Sequence, residues 1–119
     1  MVYTDFMPLT SIIFIFFAGG VGAVLRYTIS TTLPLYGTLC VNSIACFIMG
    51  YVINANFASI WLTAGLLGGL STFSTFMAEA VMLYQQGKIM MAFAYILTSV
   101  VLGMILFYLG GRCANIYYS

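Results

Sequence analysis

The segment Gly68-Gly69-Leu70-Ser71-Thr72-Phe73-Ser74-Thr75-Phe76 lies within an uncharged run that extends from Tyr27 to Ala78. A membrane-spanning helix needs about 20 mostly apolar residues, so this run holds about two and a half spans. The segment falls near the middle of one of them. Two adjacent glycines followed by Ser-Thr weaken an α-helix and favour an unwound turn and a restart, here placed over 68–72. Non-helical backbone at bilayer depth is tolerated only inside protein or beside a polar cavity. Such a break yields free carbonyls at the end of the first half, which attract a cation. It also yields a helix N-terminus that favours an anion. The competing reading is that Gly68 and Gly69 simply let two helices approach closely.

The rest of the chain agrees with a membrane setting. Of 119 residues, 64% are hydrophobic and 4% charged. Soluble domains carry about one-quarter charged residues, which excludes a soluble monomer. The charges are Asp5, Arg26, Glu79, Lys88 and Arg112, and the runs Phe6 to Leu25 and Ile89 to Gly111 carry none. The first run lacks a basic leading region and exceeds the length of a signal core, so it reads as a retained helix. The expected fold is an all-α membrane protein, a single domain over 1–119. Its helices are placed at about 6–30, 36–53, 59–84 and 89–110, the third broken near its middle. Pro34 and the residue before it end the first helix. Asn54 and Asn56 make the second turn, since Asn tolerates left-handed geometry. Trp61, Tyr84, Tyr108, Tyr117 and Tyr118 mark membrane interfaces, or pack between helices.

Several function classes are excluded by what is missing. There is no His, and Cys40, Cys46 and Cys113 show no metal spacing. With two carboxylates far apart in sequence, hydrolytic triads and acid–base pairs are hard to assemble, and an enzyme is not expected. The polar residues that remain fall on helix faces. Thr38 and Asn42 are four apart, as are Tyr95 and Ser99, with Gly103 continuing the latter face. Phe73 and Phe76 share a face, and ring edges carry the positive end of the quadrupole that a desolvated anion can contact. Each of these has a packing alternative. Arg26 and Glu79 fall at the same end of their helices and could meet near one membrane boundary, as functional charges, as a structural ion pair or as side chains snorkelling to the interface. Lys88 and Arg26 lie on one side and Arg112 on the other, a balance that leaves the positive-inside rule little to act on. Such a chain can insert both ways and pair antiparallel.

Three segments together resemble the Fluc (CrcB-type) fluoride channels: Gly19-Gly20-Val21-Gly22-Ala23-Val24-Leu25-Arg26-Tyr27, Gly37-Thr38-Leu39-Cys40-Val41-Asn42, and Gly68 to Phe76. They occur in the family's order and cover most of the chain. The resemblance implies passive fluoride export through an antiparallel, dual-topology homodimer in a prokaryotic inner (cell) membrane. It implies Phe73 and Phe76 as pore-lining rings, Asn42 as a fluoride donor and Tyr95 as a partner positioning the rings. Thr38, Thr75 and Ser99 would form a polar track, with Glu79 near its far part and Arg26 in an aqueous vestibule. Carbonyls of Gly68 and Ser71 from both subunits would hold a structural Na⁺. The chain departs from the family pattern at Ser71 (usually Thr), at Ala45-Cys46 (commonly Gly-Ser) and at Gly103, where a second hydroxyl can occur. A small proton-coupled multidrug exporter is the alternative, but it needs a carboxylate in its first helix, and Phe6 to Leu25 has none. A purely structural membrane subunit would need no polar faces.

Overall fold

The computed structural model describes residues 9–33, 36–56 and 59–118, with the backbone alone at 117 and 118. Among the described residues the chain is all-helical. Helix α1 spans Leu9–Thr32 and α2 spans Gly37–Asn54. A π-helical run, Trp61–Leu67, continues into the single turn α3, Gly68–Leu70. Helix α4 spans Ser74–Gln85 and α5 spans Ile89–Tyr118. Four stretches are long and apolar enough to cross a membrane: Leu9–Thr32, Gly37–Asn54, Trp61–Gln85 and Ile89–Ile116. The 18 residues of α2 rise about 27 Å at 1.5 Å each, close to the hydrocarbon thickness of a bilayer.

The boundaries differ from expectation in instructive places. The last helix does not stop at Gly110 but runs on through Arg112 to Tyr118. A single arginine does not end a helix, because its long side chain reaches the interface while the backbone ladder continues. Gly110 stays helical, and the carbonyl of Phe47 packs directly over it, leaving no room for a Cβ. The helix start at Phe6, the charge of Asp5 and the turn at Pro34 lie outside the described residues, as do the side chains of Tyr117 and Tyr118. Asn56 does take left-handed geometry, φ 56°, in the turn after α2, and Gly87 (φ 82°) reverses the chain before α5.

Packing is by close backbone approach. Helix α2 lies against α5, with Gly50 beneath the Phe107 carbonyl and Gly110 beneath that of Phe47. Helix α1 lies against the π-helical run and α3, where Gly22 meets the backbone of Leu66 and Leu70, and Gly69 meets the carbonyl of Gly19. In lipid, association relies on such van der Waals contact rather than on the hydrophobic effect. The interior is small: Val41, Ala45, Val52, Leu62, Leu67 and Leu70 form the buried cluster. Large apolar chains on α1 and α5, such as Phe16, Phe17, Leu97 and Met104, point outward. Gly50→Ala is expected to destabilise the purified protein by about 1–3 kcal/mol, because the new methyl meets a backbone carbonyl that cannot move aside. Gly103→Ala should cost much less, since its Cβ meets only the movable Sγ of Cys46, at 3.3 Å. Thermal melts of the two variants in detergent check this difference.

Candidate functional site

The backbone between α3 and α4 leaves helical geometry at Ser71, which is extended with φ −82° and ψ 155°. Phe73 is back in right-handed helical geometry, and α4 begins at Ser74. The two glycines expected to unwind remain helical, and the irregular residues follow them. Gly69 is held in its turn by the close approach of α1. What departs from the helix is the stretch that finds partners elsewhere. Asn42 on α2 grips it at two points. Its Nδ2 donates to the Thr72 carbonyl at 2.9 Å, and its Oδ1 accepts from the Thr72 N–H at 2.7 Å. The Thr72 hydroxyl in turn accepts from the Thr75 N–H at 3.3 Å, serving a free donor at the start of α4. Ser71 donates both its N–H and its hydroxyl to the Leu67 carbonyl. Arg26 Nε donates to the Gly69 carbonyl at 3.1 Å.

A continuous α-helix would have the Thr72 N–H serve the Gly68 carbonyl and the Thr75 N–H serve that of Ser71. Both N–H groups go to side chains instead. The two carbonyls singled out in the sequence therefore sit where the helical ladder is interrupted, and Gly68 is exposed.

A second group of residues joins three spans. Thr38, 1% exposed, donates its hydroxyl to Glu79 Oε1 at 2.7 Å, and the Tyr95 hydroxyl donates to Glu79 Oε2 at 2.5 Å. A carboxylate within a span is costly unless bonded, and here each oxygen accepts from a hydroxyl on a different helix. The Tyr95 ring stacks on Phe76 with centroids 5.2 Å apart and planes at 34°. Phe76 then meets Phe73 at 6.0 Å and 54°. Thr38, Glu79, Tyr95, Phe76 and Phe73 thus form a connected chain of contacts. Arg26 and Glu79 do not join one another. Arg26 is satisfied by a carbonyl of the third span and Glu79 by hydroxyls of the second and fourth, so the expected meeting of the two charges is corrected.

The two groups share a cavity of about 280 Å³ lined by Asn42, Cys46, Ser71, Thr72, Phe73, Phe76, Ser99 and Val100. Ser99 Oγ is buried and has no hydrogen-bond partner. Asn42 has given one of its two amide N–H groups to Thr72, and the other remains beside the cavity. Phe76 is 6% exposed whereas Phe73 is 73% exposed, an unusual setting for a ring continuous with a buried one.

Residues 13–111 match the family described as CrcB-like protein, Camphor Resistance (CrcB). The chain belongs to the CrcB family. Its CrcB-family relatives include a Pyrococcus horikoshii protein named fluoride-specific ion channel FluC. That protein is 44% identical over 105 residues, covering 77% of this chain and 85% of the relative. A Pyrococcus abyssi protein of the same name is 40% identical over 117 residues, covering 87% and 95%. One from Dehalococcoides mccartyi, again so named, is 35% identical over 113 residues, covering 82% and 87%. These relatives are named as channels and not as enzymes. With its four spans, this CrcB-family chain is an integral, multi-pass membrane protein.

Three cavity-lining residues, Thr72, Cys46 and the apolar Val100, were not among those singled out as functional in the sequence. Thr72 carries a local signal, a hydroxyl three residues before Thr75 at the start of a helix, which is a capping pattern. Cys46 carries none, because a lone cysteine in a span reads as a small apolar side chain. It lines the cavity through the packing of α2 on α5, where its Sγ fills the space beside Gly103.

Proposed function

We propose that this chain forms a fluoride-selective channel for passive export, built as an antiparallel homodimer in a prokaryotic inner (cell) membrane. The names of its CrcB-family relatives support the ion, and the shared cavity supports the route. The observation that carries most weight is the convergence on one cavity of a spare Asn42 N–H, the partnerless Ser99 hydroxyl and the Phe73 and Phe76 rings.

The energetic need explains the donor set. Moving a carboxylate-sized ion into a low-dielectric interior costs on the order of 20 kcal/mol in the idealised limit, and fluoride is smaller. A charged hydrogen bond returns roughly 1.5–3 kcal/mol net, so several contacts must replace the water together. In this reading Asn42 donates through its spare N–H, while Phe73 and Phe76 present ring edges. Ser99, Thr75 and Thr38 form the polar track. Tyr95 orients Phe76 through the stacked rings, and Glu79 holds the Tyr95 and Thr38 hydroxyls at the far end of the route. Arg26 stands at the vestibule. The exposed ring of Phe73 supports a second subunit, since a pore-lining ring needs a wall opposite it. The third span acts as a broken helix, with its interruption at the dimer axis.

The carbonyls of Gly68 and Ser71 fit a structural Na⁺. They are hard oxygen donors freed from the helical ladder, and two such pairs from facing subunits supply four. When bound, Na⁺ supplies fixed positive charge to a chain whose net charge is only +1.

A proton-coupled exporter is disfavoured by Glu79, the one carboxylate within the described spans, because both its oxygens are already bonded to hydroxyls. Liposomes containing the purified protein and loaded with fluoride or chloride test the reading. With valinomycin present and no pH gradient, fluoride should be released within seconds while chloride is retained. Retention of fluoride, or release only when a pH gradient is imposed, would reject it.

A further inference from the structure

We propose that Thr72, with Asn42, is a positioning residue for the cation: each offers a side-chain acceptor that draws a backbone N–H away from a carbonyl needed by the ion. This rests on the structural Na⁺ reading above and adds to it the groups that prepare the site. The Thr72 N–H, which would cover Gly68 O, is turned to Asn42 Oδ1 at 2.7 Å. The Thr75 N–H, which would cover Ser71 O, is turned to Thr72 Oγ1 at 3.3 Å. The two diversions match the two carbonyls one for one. A helical carbonyl already accepting a good N–H bond is a poor ligand, since its dipole is compensated and its outward lone pair is angled along the helix. Releasing it without leaving the N–H unpaired in a membrane requires a substitute acceptor at each donor, because an unsatisfied buried amide is costly.

Arg26 completes the arrangement. Its Nε donates to the Gly69 carbonyl, which lies between the two in sequence, so that this third carbonyl is already occupied. Thr72 is therefore more than a residue of the break. Its hydroxyl accepts from Thr75 while its own peptide is fixed at both N–H and C=O by Asn42, so one residue links the two released carbonyls. Valine keeps the shape of threonine but has no acceptor. In Thr72→Val the Thr75 N–H has lost its acceptor, and it can reclaim Ser71 O only if Ser71 gives up its extended geometry for a helical one, so the site loses a ligand while the four spans are kept.

The test is ²²Na⁺ binding to purified wild-type, Thr72→Val, Thr72→Ala and Thr72→Ser protein, with helical content and dimer size measured in saturating Na⁺. Half-saturation should move to at least tenfold higher Na⁺ in Thr72→Val and Thr72→Ala. Thr72→Ser, which keeps the hydroxyl, should fall within about twofold of wild type. Wild-type half-saturation in both hydroxyl-free variants would overturn the positioning role while leaving the Na⁺ reading intact. Absence of ²²Na⁺ binding by wild type would overturn the Na⁺ reading itself. A Thr72→Val protein that unfolds even in saturating Na⁺ would also count against the proposal, which requires the ion to repair the defect.

Discussion

Phe76→Ile is expected to slow fluoride efflux at least a hundredfold while leaving the helical fold in place. Among the described residues Phe76 is the one ring in contact with both Phe73 and Tyr95, and it is 6% exposed. Isoleucine keeps the site apolar and fills much of the same space, so the stability cost, about 1–3 kcal/mol for the volume lost, leaves the helices assembled. What isoleucine cannot supply is the positive ring edge, nor the stacked surface that keeps Tyr95 in place. A hundredfold loss corresponds to about 2.7 kcal/mol of barrier, comparable to one charged contact to the permeating ion. The stability and flux effects therefore separate. Circular dichroism should change little, and liposome efflux should fall to the leak of empty vesicles. Undiminished flux would remove the aromatic role.

Asn42→Ala should differ from it in losing both flux and stability. The amide holds the Thr72 N–H and the Thr72 carbonyl at once. Alanine leaves both groups without partners near the middle of a span, at about 1–3 kcal/mol for each buried unsatisfied group. It also removes the spare N–H assigned to fluoride. Efflux should be abolished and the melting temperature in detergent should drop by several degrees, further than in Phe76→Ile. Asn42→Ser should lie between, because serine keeps one short donor and acceptor but cannot span the two-point grip. An Asn42→Ala protein with wild-type melting would show that the grip contributes nothing to the fold.

These two residues also mark what could be read before the structure. The uncharged runs between Asp5, Arg26, Glu79, Lys88 and Arg112 are long enough to identify the spans, because each charge in a bilayer is expensive and therefore informative. The faces were legible too. Thr38 with Asn42, and Tyr95 with Ser99, follow from the four-residue spacing of a helix. The exact course of the interruption was not. The glycine pair drew attention to 68–72, yet Gly69 serves the close approach of Gly19, and the irregular residues are those that Asn42 engages. A partner thirty positions away in sequence is not encoded in local propensity. For the same reason Arg26 and Glu79, placed together by chain direction, find different partners once the helices rotate into packing. The last helix outran its expected end because a glycine pair costs a helix only about 1 kcal/mol per residue and does not by itself end it, and here Gly110 is the residue that lets α2 approach.

The account depends on a bare halide moving down its own gradient through this cavity. The most direct measurement is the reversal potential of the protein in a planar bilayer with a fluoride gradient and symmetric chloride. The account predicts a reversal at the equilibrium potential of fluoride, about 59 mV for each tenfold difference, unchanged when chloride or pH is altered on one side. A reversal potential near zero, or one that follows chloride or protons, would contradict it.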